Sequence, residues 1–247
     1  MTPTATIQII PERLAAIVKL DHGSHHNLRD GMCAMEAAAY VAGEHWSDQP
    51  ECVCPVIGAF MRSWNDALPD SERTTLLLPL IPKIIGTRSD KAAEQRRATM
   101  AADWLIRVHT PAWLQLAGLT SQAEALRALP EITDFAQCPS LMPTLNAVRK
   151  DASAAGDAAW AAVRDAARAA AGDAVWAAVW AAVRDAARDA AWDAAWDAVR
   201  AAAGVAVRAA VWAAVRDALS KIKSELQQSA VVLVERMAEV QHPCPGR

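Results

Sequence analysis

The side chains best suited to chemistry are concentrated between residues 22 and 54. They are His22, His25, His26, Cys33, Glu36, His45, Asp48, Cys52 and Cys54. Thiolates and imidazoles are the usual ligands of tetrahedral zinc, so His45, Cys33, Cys52 and Cys54 are candidate metal ligands. Their spacing supports zinc only weakly, because Cys52-Val-Cys54 is C-x-C and no second close pair follows it.

Cys33 is also a candidate nucleophile. It follows Asp30-Gly31 at the expected start of a helix, where the helix dipole lowers the pKa of a thiol, and a nearby histidine would serve as base. Cysteine hydrolases usually orient such a histidine from a sheet, and this sequence predicts none. The third alternative makes Cys33 and Cys54 small buried hydrophobes and places the histidines on a loop.

Other sequence motifs give no catalytic assignment. The chain has no P-loop, dinucleotide-binding glycine motif, nucleophile elbow or HExxH zinc motif. His109 lies at an expected helix end, where the macrodipole favours its charged form, and it receives no role. The sequence therefore favours a non-enzymatic protein. No catalytic or cofactor-binding residue is assigned, and zinc is the one cofactor considered.

The elements that must position these residues are helices, and the predicted fold class is all-α. Eleven of the thirteen prolines lie at or before Pro143, so residues 1–150 are predicted to form a compact domain of short helices broken by turns. Only Thr4–Ile10 resembles a strand, and one strand makes no sheet. The predicted helices are Pro11–Leu20, Met32–Ala42 ended by Gly43, Pro55–Leu68, Asp90–His109 with a restart or a kink at Pro111, and Gln122–Leu129.

Residues 151–219 form the second region, a low-complexity repeat. From Ala154 to Asp217 a four-residue unit recurs, and its variable slot holds Trp, Arg or Gly within four blocks of sixteen residues. Alanine is the best helix former and supplies 32 of the 66 residues 154–219. A four-residue step overshoots one helical turn by about 40°. The repeat therefore forms either one long helical arm of about 95 Å or a bundle folded at its glycines.

The variable slots carry the candidate interaction surface. Its tryptophans are Trp160, Trp176, Trp180, Trp192, Trp196 and Trp212. Interleaved with arginine at (i, i+4) spacing, they would form a cation–π ladder. Alternatively, because Trp, Arg and Gly codons differ at one base, the repeat is a duplicated GC-rich unit that drifted into a tolerant structural arm. Synonymous codons scattered through the gene would contradict that second hypothesis.

Residues 220–247 form the third region, an amphipathic helix followed by a frayed tail. Its apolar stripe is spaced three or four residues apart and begins at Leu219: Leu219, Ile222, Leu226, Ala230, Leu233, Met237 and Val240. The stripe is predicted to dock on the same chain or to form a helix–helix contact in a homo-oligomer.

Charge and cysteine content restrict the partners and the compartment. The net charge is −3, and the repeat holds 8 Asp and 7 Arg in residues 154–219. Neither value fits binding to nucleic acid or to anionic lipid. The longest uncharged apolar run of the C-terminal half, 174–183, is about half the length that spans a bilayer. Five cysteines without an export signal fit a reducing cytoplasm.

The segment that begins Asp30-GMCAMEAAAYVAGEHWSDQPECVCPVIGAFMRSWNDAL, continues through LIPKIIGTRSD and includes RRATMAADWL has a specific pattern. It resembles a group of uncharacterised hypothetical proteins of actinobacteria and their phages. The likeness covers about residues 28–130, and many of those proteins also end in Ala-rich repeats. It implies a bacterial or phage-borne origin and carries over no functional residue.

Two functions follow as expectations. The first is a non-enzymatic helical interaction or assembly protein that binds a protein, either itself or another. The second is a small metal-binding or cysteine-dependent enzyme domain that uses the residues of 22–54, with the repeat as a spacer.

Overall fold

The structure is a computed structural model that describes residues 9–152 and 205–240, with side chains in the second range from residue 219 onward. All regular elements in these ranges are helical, which confirms the all-α class. The α-helices are α1 Pro11–Ala15, α2 Ala34–Ala42, α3 Pro55–Ala67, α4 Asp70–Leu77, α5 Ile81–Ile84, α6 Lys91–Trp104, α7 Thr110–Leu116, α8 Thr120–Arg127, α9 over 138–152 and α10 Val205–Glu239.

Two compact units divide the described residues. The first comprises 9–98 and 230–240, and the second comprises 99–152 and 205–229. Residues 230–240 therefore belong to the same unit as helices α1 to α5. The predicted long arm and its bundle alternative fall mostly on residues 153–204, which lie outside the described residues, while 205–219 belong to α10.

The core of the first unit is built around α2 and α3. Small and apolar side chains of α2 are fully buried, and Met61 and Trp64 of α3 are buried as well. Gly43 ends α2 in the left-handed region with φ 74°, as its position after Ala42 predicts. The predicted first helix is too long, since α1 ends at Ala15. The backbone N–H of Leu20 donates instead to Thr74 Oγ1 at 2.9 Å.

Arg97 holds the end of α10 in the first unit. Its side chain is only 1% exposed. The Nε donates to the carbonyl oxygen of Met237 at 2.8 Å, and Nη2 donates to that of Val240 at 3.0 Å. Carbonyls at a helix C-terminus lack partners within the helix and carry partial negative charge. The guanidinium therefore caps α10. Leu233 and Met237 of the predicted stripe are buried within the chain.

The second unit contains a wide turn in its longest helical stretch. Residues Leu105–His109 form a π-helix between α6 and α7. The turn ends two residues before Pro111, which has no N–H for the carbonyl four residues back. The predicted kink is thus a widened turn, and the helix continues to Leu116. A small core of Leu114, Ala123, Leu126, Val148 and Ala152 joins α7, α8 and α9.

Candidate functional site

Cys33 lies at the N-cap of α2 and forms a capping box with Glu36. The Cys33 Sγ accepts the backbone N–H of Glu36 at 3.5 Å, and Glu36 Oε2 accepts the N–H of Cys33 at 2.8 Å. Asn65 Oδ1 accepts the N–H of Ala34 at 3.1 Å. The first backbone N–H groups of a helix can bind an anion. Here the N–H groups of Ala34 and Glu36 already donate to side chains of the same chain.

Glu36 also fixes the histidine-rich loop above α2. Its carboxylate accepts the backbone N–H of His25, and Oε2 lies 2.8 Å from His25 Nδ1. The carboxylate is 1% exposed. The indole Nε1 of Trp46 donates to the carbonyl oxygen of His25 at 2.8 Å. Because a buried carboxylate must be matched by donors, Glu36 ties this loop to α2.

Gly31 leaves room for the imidazole of His25. The residue has φ 125°, and a Cβ built there would lie 2.9 Å from His25 Nε2 and 3.0 Å from Asp21 Oδ2. Any larger residue would displace the ring. The other end of the loop is held by Asp66, whose Oδ1 accepts the N–H of Gly23 at 2.8 Å.

The Cys33 thiol does not have the electrostatics of a nucleophile. Its side chain is buried, and desolvation raises its pKa from near 9 to about 12, with the nearby Glu36 carboxylate adding to the rise. The expected lowering by the helix dipole is wrong, because burial disfavours the thiolate more strongly than the dipole favours it. His25, in the loop above α2, is a nearby histidine, but its Nδ1 is hydrogen-bonded to Glu36 Oε2.

Two of the predicted zinc ligands, Cys52 and Cys54, are bonded through their backbones to the same segment, residues 86–88. Cys52 is buried, its carbonyl oxygen accepts the N–H groups of Gly86 and Arg88, and burial raises its pKa to about 12. Cys54 is also buried, and its backbone N–H donates to Thr87 Oγ1. His45 is exposed, with Nδ1 on the carbonyl oxygen of Trp46. Within 9–152 and 205–240, no three His, Cys, Asp or Glu side chains converge to hold a metal ion.

His109 lies in the π-turn between two indoles. Its ring centroid is 5.1 Å from that of Trp104 and 6.2 Å from that of Trp113. The Nε1 of Trp113 donates to His109 Nε2 at 3.2 Å, so the ring is neutral with its proton on Nδ1. Burial lowers its pKa to about 4. The expectation of a charged His109 is wrong, since desolvation outweighs the helix dipole.

An open groove lies in the second unit between α8 and α9. Its volume is about 420 Å³. Ala125, Ala147 and Val148 contribute apolar surface, and Gln122 and Asp151 contribute polar groups. Gln122 Nε2 donates to Asp151 Oδ2 at 3.2 Å. Nothing in the sequence marks this groove, because its residues are ordinary helix residues with no motif.

The predicted tryptophan surface lies outside the described side chains. Trp160, Trp176, Trp180, Trp192 and Trp196 fall within 153–204, and the side chain of Trp212 precedes residue 219. The sequence did contain one signal for the way Glu36 ties the histidine-rich loop to α2. Cys33-x-x-Glu36 has the spacing of a capping box, with cysteine in place of serine or threonine.

No family model, curated protein or solved structure matches this chain. Among the helices of the described ranges, none is both long enough and apolar enough to cross a membrane.

Proposed function

We propose that this chain is a non-enzymatic, cytoplasmic interaction protein that associates with further copies of itself through its tryptophan repeat. The observation that carries the proposal is the use of Glu36, His25 and Cys33 within the fold. Their polar groups hold a loop to α2, and the thiol is buried in a state that disfavours the thiolate. The side chains most capable of catalysis therefore serve the structure.

The repeat supplies the association surface in this proposal. Six tryptophans between residues 160 and 212 have large apolar side chains, and indoles are enriched at protein interfaces. Both neighbours of the segment 153–204 are helices that the structure describes, α9 before it and α10 after it. The C-terminal end of α10 is capped by Arg97. Described helices thus lie on both sides of residues 153–204 along the chain.

The same proposal leaves out nucleic acid and membranes as partners. The repeat is nearly neutral, with 8 Asp and 7 Arg in 154–219. Counterion release and attraction to anionic lipid both need clustered positive charge. The likeness to actinobacterial and phage proteins, carried by residues 28–130, completes the proposal with a bacterial or phage-borne origin.

Sedimentation velocity of the full chain tests this function. All six tryptophans, from Trp160 to Trp212, are replaced by alanine, which preserves helix propensity. The matched control replaces six arginines in the same variable slots by glutamine: Arg164, Arg168, Arg184, Arg188, Arg200 and Arg208. We expect the tryptophan variant to sediment as a monomer and the control to keep association. Equal association of wild type and tryptophan variant would contradict the proposal.

The enzymatic alternative has a separate test. Elemental analysis of the purified full chain, beside a Cys52→Ser/Cys54→Ser variant, should find no stoichiometric zinc in either. One zinc per chain that is lost in the double variant would favour the metal-binding function instead.

A further inference from the structure

We propose that Asp30 is a modification site, where the chain converts spontaneously to isoaspartate and so loosens the histidine-rich loop from α2. The sequence contains 17 aspartates, and Asp30 is the only one followed by glycine. Glycine has no Cβ to shield its backbone nitrogen or to restrict its dihedral angles, so the peptide group after Asp30 is the one most open to attack. The inference is independent of the proposed association.

Asp30 lies at the exposed end of the histidine-rich loop. Residues 26–30 are all exposed, so water reaches the carboxyl group. The side-chain Nδ2 of Asn27 donates to Asp30 Oδ2 at 2.7 Å, and the backbone N–H of Asp30 donates to the carbonyl oxygen of Asn27 at 3.1 Å. Covalent geometry keeps the carboxyl carbon of an aspartate within a few ångströms of the next backbone nitrogen. The electrophile is therefore both accessible and close to its nucleophile.

The nucleophile is the backbone nitrogen of Gly31, and the fold does not occupy it. Within residues 9–152 and 205–240, no oxygen accepts the N–H of Gly31. The N–H groups on either side differ, since that of Asp30 donates to Asn27 and that of Cys33 donates to Glu36. A hydrogen bond at this nitrogen would have to break before attack, at a cost in free energy. At Gly31 no such cost arises.

The reaction needs no co-reactant other than water. The Gly31 nitrogen attacks the carboxyl carbon of Asp30, a C–N bond forms, and the carboxyl O–H leaves with the amide proton as water. The product is a cyclic succinimide. Water then opens the ring at the α-carbonyl of Asp30, which leaves isoaspartate. The main chain now runs through the former side-chain carboxyl carbon and is longer by one methylene group.

A longer main chain at this point disturbs the packing of the loop. A Cβ at Gly31 would lie 2.8 Å from His25 Cδ2, so the space beside the glycine does not hold even a methyl group. His25 is joined through Nδ1 to Glu36 Oε2, and the same Oε2 accepts the N–H of Cys33. We therefore expect the isoaspartyl chain to displace His25 and to make the Cys33 thiol accessible.

Ageing of the full chain tests the site. After weeks at neutral pH and physiological temperature, peptide mass spectrometry with electron-transfer fragmentation measures isoaspartate at each position. We expect several-fold more isoaspartate at Asp30 than at Asp151, which is also exposed but is followed by alanine in α9. The matched control is Asp30→Glu, which keeps the carboxylate but cannot form the succinimide, and it should stay unmodified at residue 30. Equal isoaspartate at Asp30 and Asp151 would overturn the proposal.

The effect on the loop has its own readout. Aged native chain is labelled with iodoacetamide and then cleaved after lysine, which leaves Asp30 and Cys33 in one peptide between Lys19 and Lys83. Chromatography separates the aspartyl and isoaspartyl forms of this peptide. We expect several-fold more label on Cys33 in the isoaspartyl form. Equal labelling of the two forms would show that the modification leaves the loop in place and would overturn that part of the proposal.

Discussion

Two sets of polar side chains, one in each unit, have opposite surroundings. In the first, Glu36 is buried and its carboxylate accepts hydrogen bonds from His25 and Cys33. In the second, Gln122 and Asp151 lie at the edge of an open groove and bond to each other. The chemically richer residues are enclosed, and the chemically plainer ones are accessible.

The difference teaches that residue type alone does not locate a functional site. A carboxylate, an imidazole and a thiol within one loop region resemble a catalytic set in the sequence. Their burial and mutual hydrogen bonds turn them into a structural anchor, because a desolvated polar group stabilises the fold only when it is fully paired. The open groove between α8 and α9, in contrast, is lined by side chains that solvent can reach.

The largest expected effect on stability comes from removing Glu36, which ties the histidine-rich loop to α2. Glu36→Ala should lower the free energy of unfolding by about 4 kcal/mol, because breaking a buried hydrogen-bonded carboxylate leaves its partners unsatisfied. Urea denaturation followed by circular dichroism measures the change. The exposed Glu51 gives the control, and Glu51→Ala should cost less than about 0.5 kcal/mol. Equal effects of the two substitutions would show that Glu36 is not an anchor.

Thiol reactivity tests the same enclosure by kinetics. Since the pKa of Cys33 is raised from near 9 to about 12, its thiolate fraction at pH 8 should fall roughly 1,000-fold. Iodoacetamide labelling of the native chain, read by peptide mass spectrometry, should modify the half-buried Cys138 long before Cys33. Labelling of Cys33 at the same rate as Cys138 would contradict its enclosure and support the hypothesis that Cys33 is a nucleophile.

The second unit should show its own pH dependence through His109. Its pKa is about 4 in the fold against 6.5 for the unperturbed side chain, so the unfolded state binds more protons between these values. Stability from this residue is complete above about pH 6.5 and falls as the pH drops toward 4, by about 3 kcal/mol in total. His109→Gln keeps an acceptor for Trp113 and should reduce that loss. An unchanged difference between pH 7 and pH 4 would exclude His109 as its source.

The smallest effect is expected at the groove edge. Gln122→Ala removes the bond to Asp151 at an accessible site, and it should change the free energy of unfolding by no more than about 0.5 kcal/mol. Urea denaturation beside Glu36→Ala gives a direct comparison. A loss as large as that of Glu36→Ala would mean that the groove edge, like the loop, serves the fold.

The helices were largely predictable, and the site was not. Gly43 and Pro55 mark the end of α2 and the start of α3, because local backbone chemistry decides such boundaries. The stripe that ends α10 was also readable from its spacing. Leu20, which the sequence placed in the first helix, lies outside α1 and bonds to Thr74, far along the chain. The pKa values of Cys33 and His109 depend on burial, which tertiary packing decides, and the local dipole argument therefore gave the wrong direction for both.

The π-turn shows a second limit. Met100, Trp104 and Val108 follow one stripe only while the helix keeps 3.6 residues per turn. The wider π-turn over Leu105–His109 shifts this spacing, and Val108 is 40% exposed. A proline can be read from the sequence, but whether the chain kinks, breaks or widens before it depends on the surrounding packing.

Sedimentation equilibrium of the unmodified full chain across a concentration series tests the central claim most directly. Association through the repeat predicts a weight-average mass that rises above the 26.4 kDa of one chain as concentration increases. A mass of 26.4 kDa at every concentration would contradict the claim.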